Sequence, residues 1–335
     1  MDSNLSDDRD VSRDTPPDHN FRYRTISTAG IDSENLTFRI TTANDIENLL
    51  GSIQKIGLIQ PPLLMANPSG YIIVCGFRRI CACRRLGWMR ITARVLEKNF
   101  DRFRAAQMSI ADNALQRSLN LVETSRALNL LDDFGPDSQQ RRDAAEALGL
   151  PVNRSVALAI KKICRLPLPI QEAIIKETIN LSMALEMGQL APAAAEGLAR
   201  LFDQLKVGLN KQRELLLLLK EIAEREDTSI LQLIADKPLQ DILKTAEMDR
   251  AIKRQKVRSY LRRRRFPAIS QAETGYRKWV GQLKLGNHIN LIPPKDFEGN
   301  TFSMTLRFNN RRDLTDLNKK IEKIIQHPAL GKILD

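Results

Sequence analysis

The residues with the clearest chemistry are one glycine and two arginines. Gly76-Phe77-Arg78-Arg79 falls between the apolar run Tyr71 to Cys75, which reads as a strand, and Arg78 to Leu86, which reads as a helix. At such a junction the first backbone N–H groups, the helix dipole and two guanidinium forks converge, which is the chemistry of phosphate binding. The same residues also describe two solvated arginines at the start of a surface helix. A second loop, Gly57-Leu58-Ile59-Gln60-Pro61, follows a helix on the same side of the small sheet that these runs imply.

Two further groups suit nucleic acid. Asp143 to Leu148, the turn Gly149-Leu150-Pro151, and a second helix from Asn153 to about Cys164 outline a helix-turn-helix. Residues early in the second helix meet base edges in such motifs, which nominates Asn153, Arg154 and Ser155, with Lys161 and Lys162 nearer phosphates; Asn153 also has the type and place of a helix cap. From Arg250 to Arg265 there is no acidic residue, and the segment ends in Arg262, Arg263, Arg264 and Arg265. This run suits phosphate contact without sequence reading, or else a solvated basic helix.

The totals agree with a polyanionic partner. The 335 residues carry 52 Lys and Arg against 40 Asp and Glu, a formal charge of +12. Cys75, Cys81, Cys83 and Cys164 form no paired knuckle and have no histidine nearby, so they read as reduced, buried thiols rather than zinc ligands. No apolar stretch approaches the roughly 20 residues of a membrane span. The acidic opening from Asp2 to Asp18 reads as part of a disordered tail rather than a signal peptide. Trp88 and Trp279 stand apart from any basic and aromatic array and read as packing residues.

The elements that must position these groups are of two textures, giving a multidomain α+β chain. Ile46, Leu49, Leu50, Ile53 and Ile56 recur at helical spacing from Thr41 to Ile56, followed by strands Pro62 to Met65, Tyr71 to Cys75 and Ile91 to Leu96. Beyond Phe100 the pattern is helix after helix. Near the end, Asn287 to Ile292 and Phe302 to Phe308 read as strands and Asp313 to Ile325 as a helix, with one face of the second strand buried. The expected division is a disordered tail over 1–35, a mixed α/β domain over 36–100 with its motif helix reaching about 120, an all-α helix-turn-helix domain over 121–237, a basic helical linker over 238–280, and a ββα unit over 281–335. So small a terminal core is expected to complete itself by dimerising.

Taken in order, Gly57-Leu58-Ile59-Gln60-Pro61, Tyr71 to Val74, Gly76-Phe77-Arg78-Arg79-Ile80-Cys81-Ala82, Leu86-Gly87, Ile91 to Val95, Asp112-Asn113 and Leu119-Asn120 resemble the ParB partition family, whose N-terminal domain is of ParB/sulfiredoxin type. The resemblance runs from about Thr37 to Gln204. It implies a pocket for CTP with Mg2+, lined by Gly57, Gln60, Gly76, Arg78, Arg79 and Asn113, with Asp112 and Asn113 near the metal. It further implies a homodimeric clamp on a palindromic double-stranded DNA site, a partition ATPase as partner and a cytoplasmic, nucleoid- or plasmid-associated protein. Arg9, Arg13, Arg22 and Arg24 are the residues of the N-terminal stretch suited to an ATPase contact.

Two positions depart from the family pattern. Phe77 stands where a glutamate is usual, and a phenyl ring cannot position water, so CTP hydrolysis is doubtful. Gln116 stands where arginine is usual, with Arg117 displaced by one residue, about 100° around a continuous helix. Two alternatives follow: a site-specific transcription or nucleoid regulator without nucleotide switching, or a nuclease or phosphotransferase on the same fold.

Overall fold

Leu63, Leu64 and Met65 are buried in succession, the pattern of a strand covered on both faces, and they occupy the middle of a five-stranded sheet. The computed structural model describes residues 21–334, which divide into one unit ending at Gln189 and a second beginning at Leu190. The first unit opens with β1 (Phe21–Ser27), β2 (Ile31–Asp32), α1 (Glu47–Ile56), β3 (Leu63–Asn67), β4 (Gly70–Cys75), α2 (Phe77–Arg85) and β5 (Arg90–Leu96). The strand order is β1-β5-β3-β4-β2; β1 with β5 and β3 with β4 are antiparallel, whereas β3 with β5 and β2 with β4 are parallel. Ile53 of α1 and Ile80 of α2 pack against Leu64, Ile73 and Val95 of the sheet.

Two expectations need correction here. Residues 1–20 lie outside the described residues, but the remainder of the supposed tail is not tail: Phe21 to Ser27 pair with Leu96 to Arg90. Arg22, Tyr23, Arg24 and Thr25 are all exposed on this edge strand and only Ile26 is buried, so no alternation marks it in the sequence. Arg22 and Arg24 flank Glu97 at 4.0 and 3.8 Å, while Arg9 and Arg13 lie outside the described residues. The first helix starts at Glu47 rather than Thr41, because Thr42 is held away from helix geometry: its N–H and hydroxyl both donate to the Glu123 carboxylate, at 2.9 and 3.1 Å.

Helices follow: α3 (Arg102–Ala114), α4 (Leu121–Phe134), α5 (Ser138–Ala147), α6 (Arg154–Lys161), α7 (Leu168–Ile175) and α8 (Leu181–Met187). No boundary falls at residue 121 as expected. Asn120 and Glu123 form a reciprocal cap at the start of α4, Arg126 Nη1 donates to the Thr41 carbonyl at 3.1 Å, and Phe38 stacks on Phe134 at 5.5 Å, so α4 is built into the sheet-bearing unit.

The second unit contains α9 (Pro192–Leu205), α10 (Leu209–Arg225), α11 (Ile230–Ala235), α12 (Lys237–Lys244), α13 (Arg250–Arg265) and α14 (Pro267–Leu283), then β6 (Ile289–Ile292), β7 (Ser303–Leu306), α15 (Arg311–Ile325) and α16 (Pro328–Leu334). The segment read as a linker is part of this packed unit, since Val257 and Leu261 of α13 are fully buried, as are Leu219 and Ile222 of α10. Strands β6 and β7 pair antiparallel. Their core of Leu283, Leu285, Ile289, Leu291, Ile324 and Ala329 is joined by Trp279, whose ring lies under the ammonium groups of Lys278 and Lys332. The expected buried face of the second strand is half covered: Phe302 and Leu306 pack against this core, while Met304 is 37% and Phe308 50% exposed. No helix among the described residues is long and apolar enough to cross a membrane.

Candidate functional site

Strand β4 delivers the chain to Gly76 in the left-handed region, with φ +93°, and α2 begins at the next residue. A Cβ at Gly76 would meet Pro62 at 3.0 and 3.2 Å and Arg79 Nε at 3.1 Å, so glycine is required both by conformation and by space. One turn on, Arg79 bridges two elements: Nη1 donates to the Gln60 carbonyl at 2.9 Å and Nη2 to Asp112 Oδ2 at 3.2 Å. Its side chain is only 15% exposed. Arg78 is exposed and turns to the loop before α1, where its Nε donates to the Asp45 carbonyl at 3.0 Å.

Around this junction lies a cavity of about 410 Å³ whose wall includes Gln60, Gly76, Arg78, Arg79, Asp112 and Asn113. The structure thus brings together every residue nominated for a nucleotide except Gly57, which ends α1 with φ +91° and does not reach the wall. Asn113 Nδ2 is taken by the Ser109 carbonyl at 2.9 Å, and Ser109 Oγ donates to the Phe38 carbonyl at 2.7 Å, which fixes α3 against the sheet unit. Three guanidinium groups, of Arg78, Arg79 and Arg117, line the cavity; Asp112 pairs with Arg79 and Glu123 with Arg117, which leaves a positive balance at Arg78. The Cys75 thiol on the same wall is pushed up to about 12, mainly by burial and then by Asp112, which disfavours its thiolate.

The displaced arginine behaves differently from expectation. Helix α3 ends at Ala114, so the 100° rotation of a continuous helix does not apply, and both Gln116 and Arg117 reach the cavity wall. Arg117 makes a two-pronged pair with Glu123 at 2.7 and 2.7 Å. The Glu123 side chain is 1% exposed. Burial alone raises a carboxyl, but the bonds from Arg117, Thr42 and Asn120 outweigh it and hold Glu123 at about 2. Sequence reading missed Glu123; the Asn120 to Glu123 capping spacing was its only signal. Through it a wall residue of the cavity is fastened to the first turn of α4.

For nucleic acid, α5, the turn containing Gly149 and α6 form the expected pair of helices. Asn153 is consumed as a cap, its Oδ1 accepting from the Ser155 and Val156 N–H groups at 3.1 and 3.2 Å and from the Ser155 hydroxyl at 2.7 Å. That leaves Arg154 and Lys162 exposed, while Lys161 pairs with Asp132 at 2.6 Å. Arg141 and Arg142, which the sequence reading passed over, share a groove with Arg154 and Lys161. The arginine run is largely consumed within its own unit: Arg262 reaches Glu273, Arg264 reaches Glu226 and Asp236, and Arg265 reaches Glu221. Arg263 is exposed and its Nε donates only to the Ser259 carbonyl.

A mixed α/β unit with a glycine and arginine cavity thus leads into a pair of helices joined by the turn at Gly149. Residues 18–114 match the family model of the ParB N-terminal domain. It is similar to the probable chromosome-partitioning protein ParB of Treponema pallidum, 28% identical over 147 residues, covering 44% of each chain. It is also similar to the nucleoid occlusion protein of Halalkalibacterium halodurans, 29% identical over 135 residues, 40% of this chain and 46% of that one. The chain thus spans less than half the length of these relatives. Among solved structures, the C-terminally truncated chromosome-partitioning protein ParB from Caulobacter crescentus complexed with CTP-gamma-S is 22% identical, with a TM-score of 0.26, covering 54% of this chain and 98% of that one.

Proposed function

We propose that the chain is a centromere-binding DNA partition protein whose cavity around Arg78 and Arg79 binds CTP with magnesium and governs a clamp on duplex DNA. The observation that carries this reading is the convergence of Gly76, Arg78, Arg79, Gln60 and Asn113 on one cationic cavity inside the segment that matches the ParB N-terminal domain. Asp112 and Asn113 suit the metal, because magnesium takes one or two carboxylates and completes its shell with phosphate oxygens and water. Phosphates that take up Arg79 free the Asp112 carboxylate for that role. When bound, magnesium neutralises triphosphate charge; the chain's own residues orient the phosphates.

Arg154, Lys162, Arg142 and the exposed Val156 and Leu158 form the face of the helix-turn-helix available to a major groove. Exposed Met304, Phe308, Leu314 and Ile325 on the terminal strand and helix supply the apolar surface for a homodimer. In this reading the protein is cytoplasmic and bound to a nucleoid or plasmid, and it works with a partition ATPase. Phe77 on the cavity wall favours binding without hydrolysis, which is also the feature that supports a DNA-bound regulator. The test is calorimetric titration of CTP into the full chain with magnesium, against ATP, GTP and UTP. Saturable CTP binding that is lost in the Arg78→Ala, Arg79→Ala variant supports the reading; equal binding by the two proteins overturns it.

A further inference from the structure

A second cavity, of about 610 Å³, lies on the other side of the segment that carries Arg39, Ile40 and Thr41, against helices α4 and α7. Two guanidinium groups share it, those of Arg39 and Arg126. Arg126 is held in place from behind, its Nη1 donating to the Ile40 and Thr41 carbonyls at 3.3 and 3.1 Å. Arg39 is steadied by a bond from Nη2 to Asn44, yet its Nε is fully buried and has no hydrogen-bond partner. Among the described residues no carboxylate pairs with either arginine. Asp133 and Glu172 also line the cavity, but both are exposed and Glu172 is engaged with Lys176.

Two cations confined together are unfavourable unless an anion is present for part of the protein's working cycle, and Glu123, the carboxylate whose charge favours Arg126, is itself paired with Arg117. The Arg126 guanidinium is held below the ordinary arginine value, first by burial and then by the charge of Arg39. An orphaned, buried Nε is likewise costly until an acceptor reaches it. A compact oxyanion with several acceptor oxygens satisfies both guanidinium groups at once.

We propose that this cavity is a second anion site, separate from the Arg78 and Arg79 pocket, which takes a phosphate-class ligand between Arg39 and Arg126. The space exceeds that of one phosphate and accommodates a diphosphate. The site is independent of nucleotide binding at the first pocket, and the experiment keeps the two apart. Inorganic pyrophosphate is titrated by calorimetry into the full chain carrying Arg78→Ala and Arg79→Ala, which disables the first pocket, and into the same protein with Arg39→Gln or Arg126→Gln added. Pyrophosphate binding should persist in the double variant and weaken at least tenfold with either addition. Arg126→Gln removes bonds to two carbonyls and is liable to unfold the loop, so Arg39→Gln carries the test: without ligand it should melt at or above the parent temperature, because it removes a like charge. Absent binding in the double variant, binding unaffected by Arg39→Gln, or a melting temperature lowered by Arg39→Gln in the absence of anion would each overturn the proposal.

Discussion

Arg78 and Arg79 number two, and Arg262 to Arg265 number four, yet the shorter cluster has the fewer carboxylate partners. In the first unit Arg78 is anchored by the backbone carbonyl of Asp45, which holds it in place without neutralising it, while Arg79 is shared between the Gln60 carbonyl and the Asp112 carboxylate. In α13 the anchors are carboxylates. Bonds from Arg264 hold Glu226 below its ordinary range, and Asp236 is held down by Tyr260 and then Arg264, while Arg264 itself is raised by Glu226 and Asp236. Charge counted along a sequence therefore differs from charge available to a ligand. What decides is whether the partner of each arginine is a dipole or an ion.

The comparison can be broken or sharpened by substitution. The largest effect on stability is expected at Glu123, where Glu123→Gln leaves the shape but strands Arg117, at a cost of about 2 kcal/mol at neutral pH once the half-exposed arginine is allowed for. Glu123 is depressed from 4.5 to about 2, so its contribution is complete above the ordinary carboxylate value and is lost as pH falls toward about 2. Melting curves of wild type and variant should converge over that interval; a constant gap from pH 7 to pH 2 would remove the carboxylate from the explanation.

Arg264→Ala should come next, lowering stability by about 1–2 kcal/mol through loss of bonds to two carboxylates, with DNA affinity changed little. A variant that melts normally but loses DNA would show that the run is free after all. At the helix-turn-helix, Arg154→Ala should weaken specific DNA binding about tenfold, consistent with the 1–3 kcal/mol of a base-contacting arginine, and should relax sequence preference. Arg263→Ala is the smallest: a fall of about one in the slope of log affinity against log salt, with sequence preference unchanged.

Much of the pocket was legible because it rests on local signals. Glycine before a helix, the apolar run of β4 and the paired arginines sit within ten residues of one another, and their geometry follows from secondary structure alone. Long-range polar bonds were not legible. Nothing in the sequence couples Thr42 to Glu123 across 81 positions, or Arg264 to Asp236, yet these bonds decide where α1 begins and what the basic run can do. Strand β1 was hidden for a different reason: an edge strand with four exposed residues in a row has no period to read. Gly57 was placed on the cavity by resemblance, and the backbone carries it elsewhere.

The most direct measurement is the affinity for CTP, by calorimetry with magnesium, of three proteins: wild type, the Arg78→Ala, Arg79→Ala variant, and Arg264→Ala. Loss of two charge-assisted contacts should weaken the pocket variant about a hundredfold or more, while Arg264→Ala binds as wild type. Equal losses in both variants, or no loss in the first, would contradict the account.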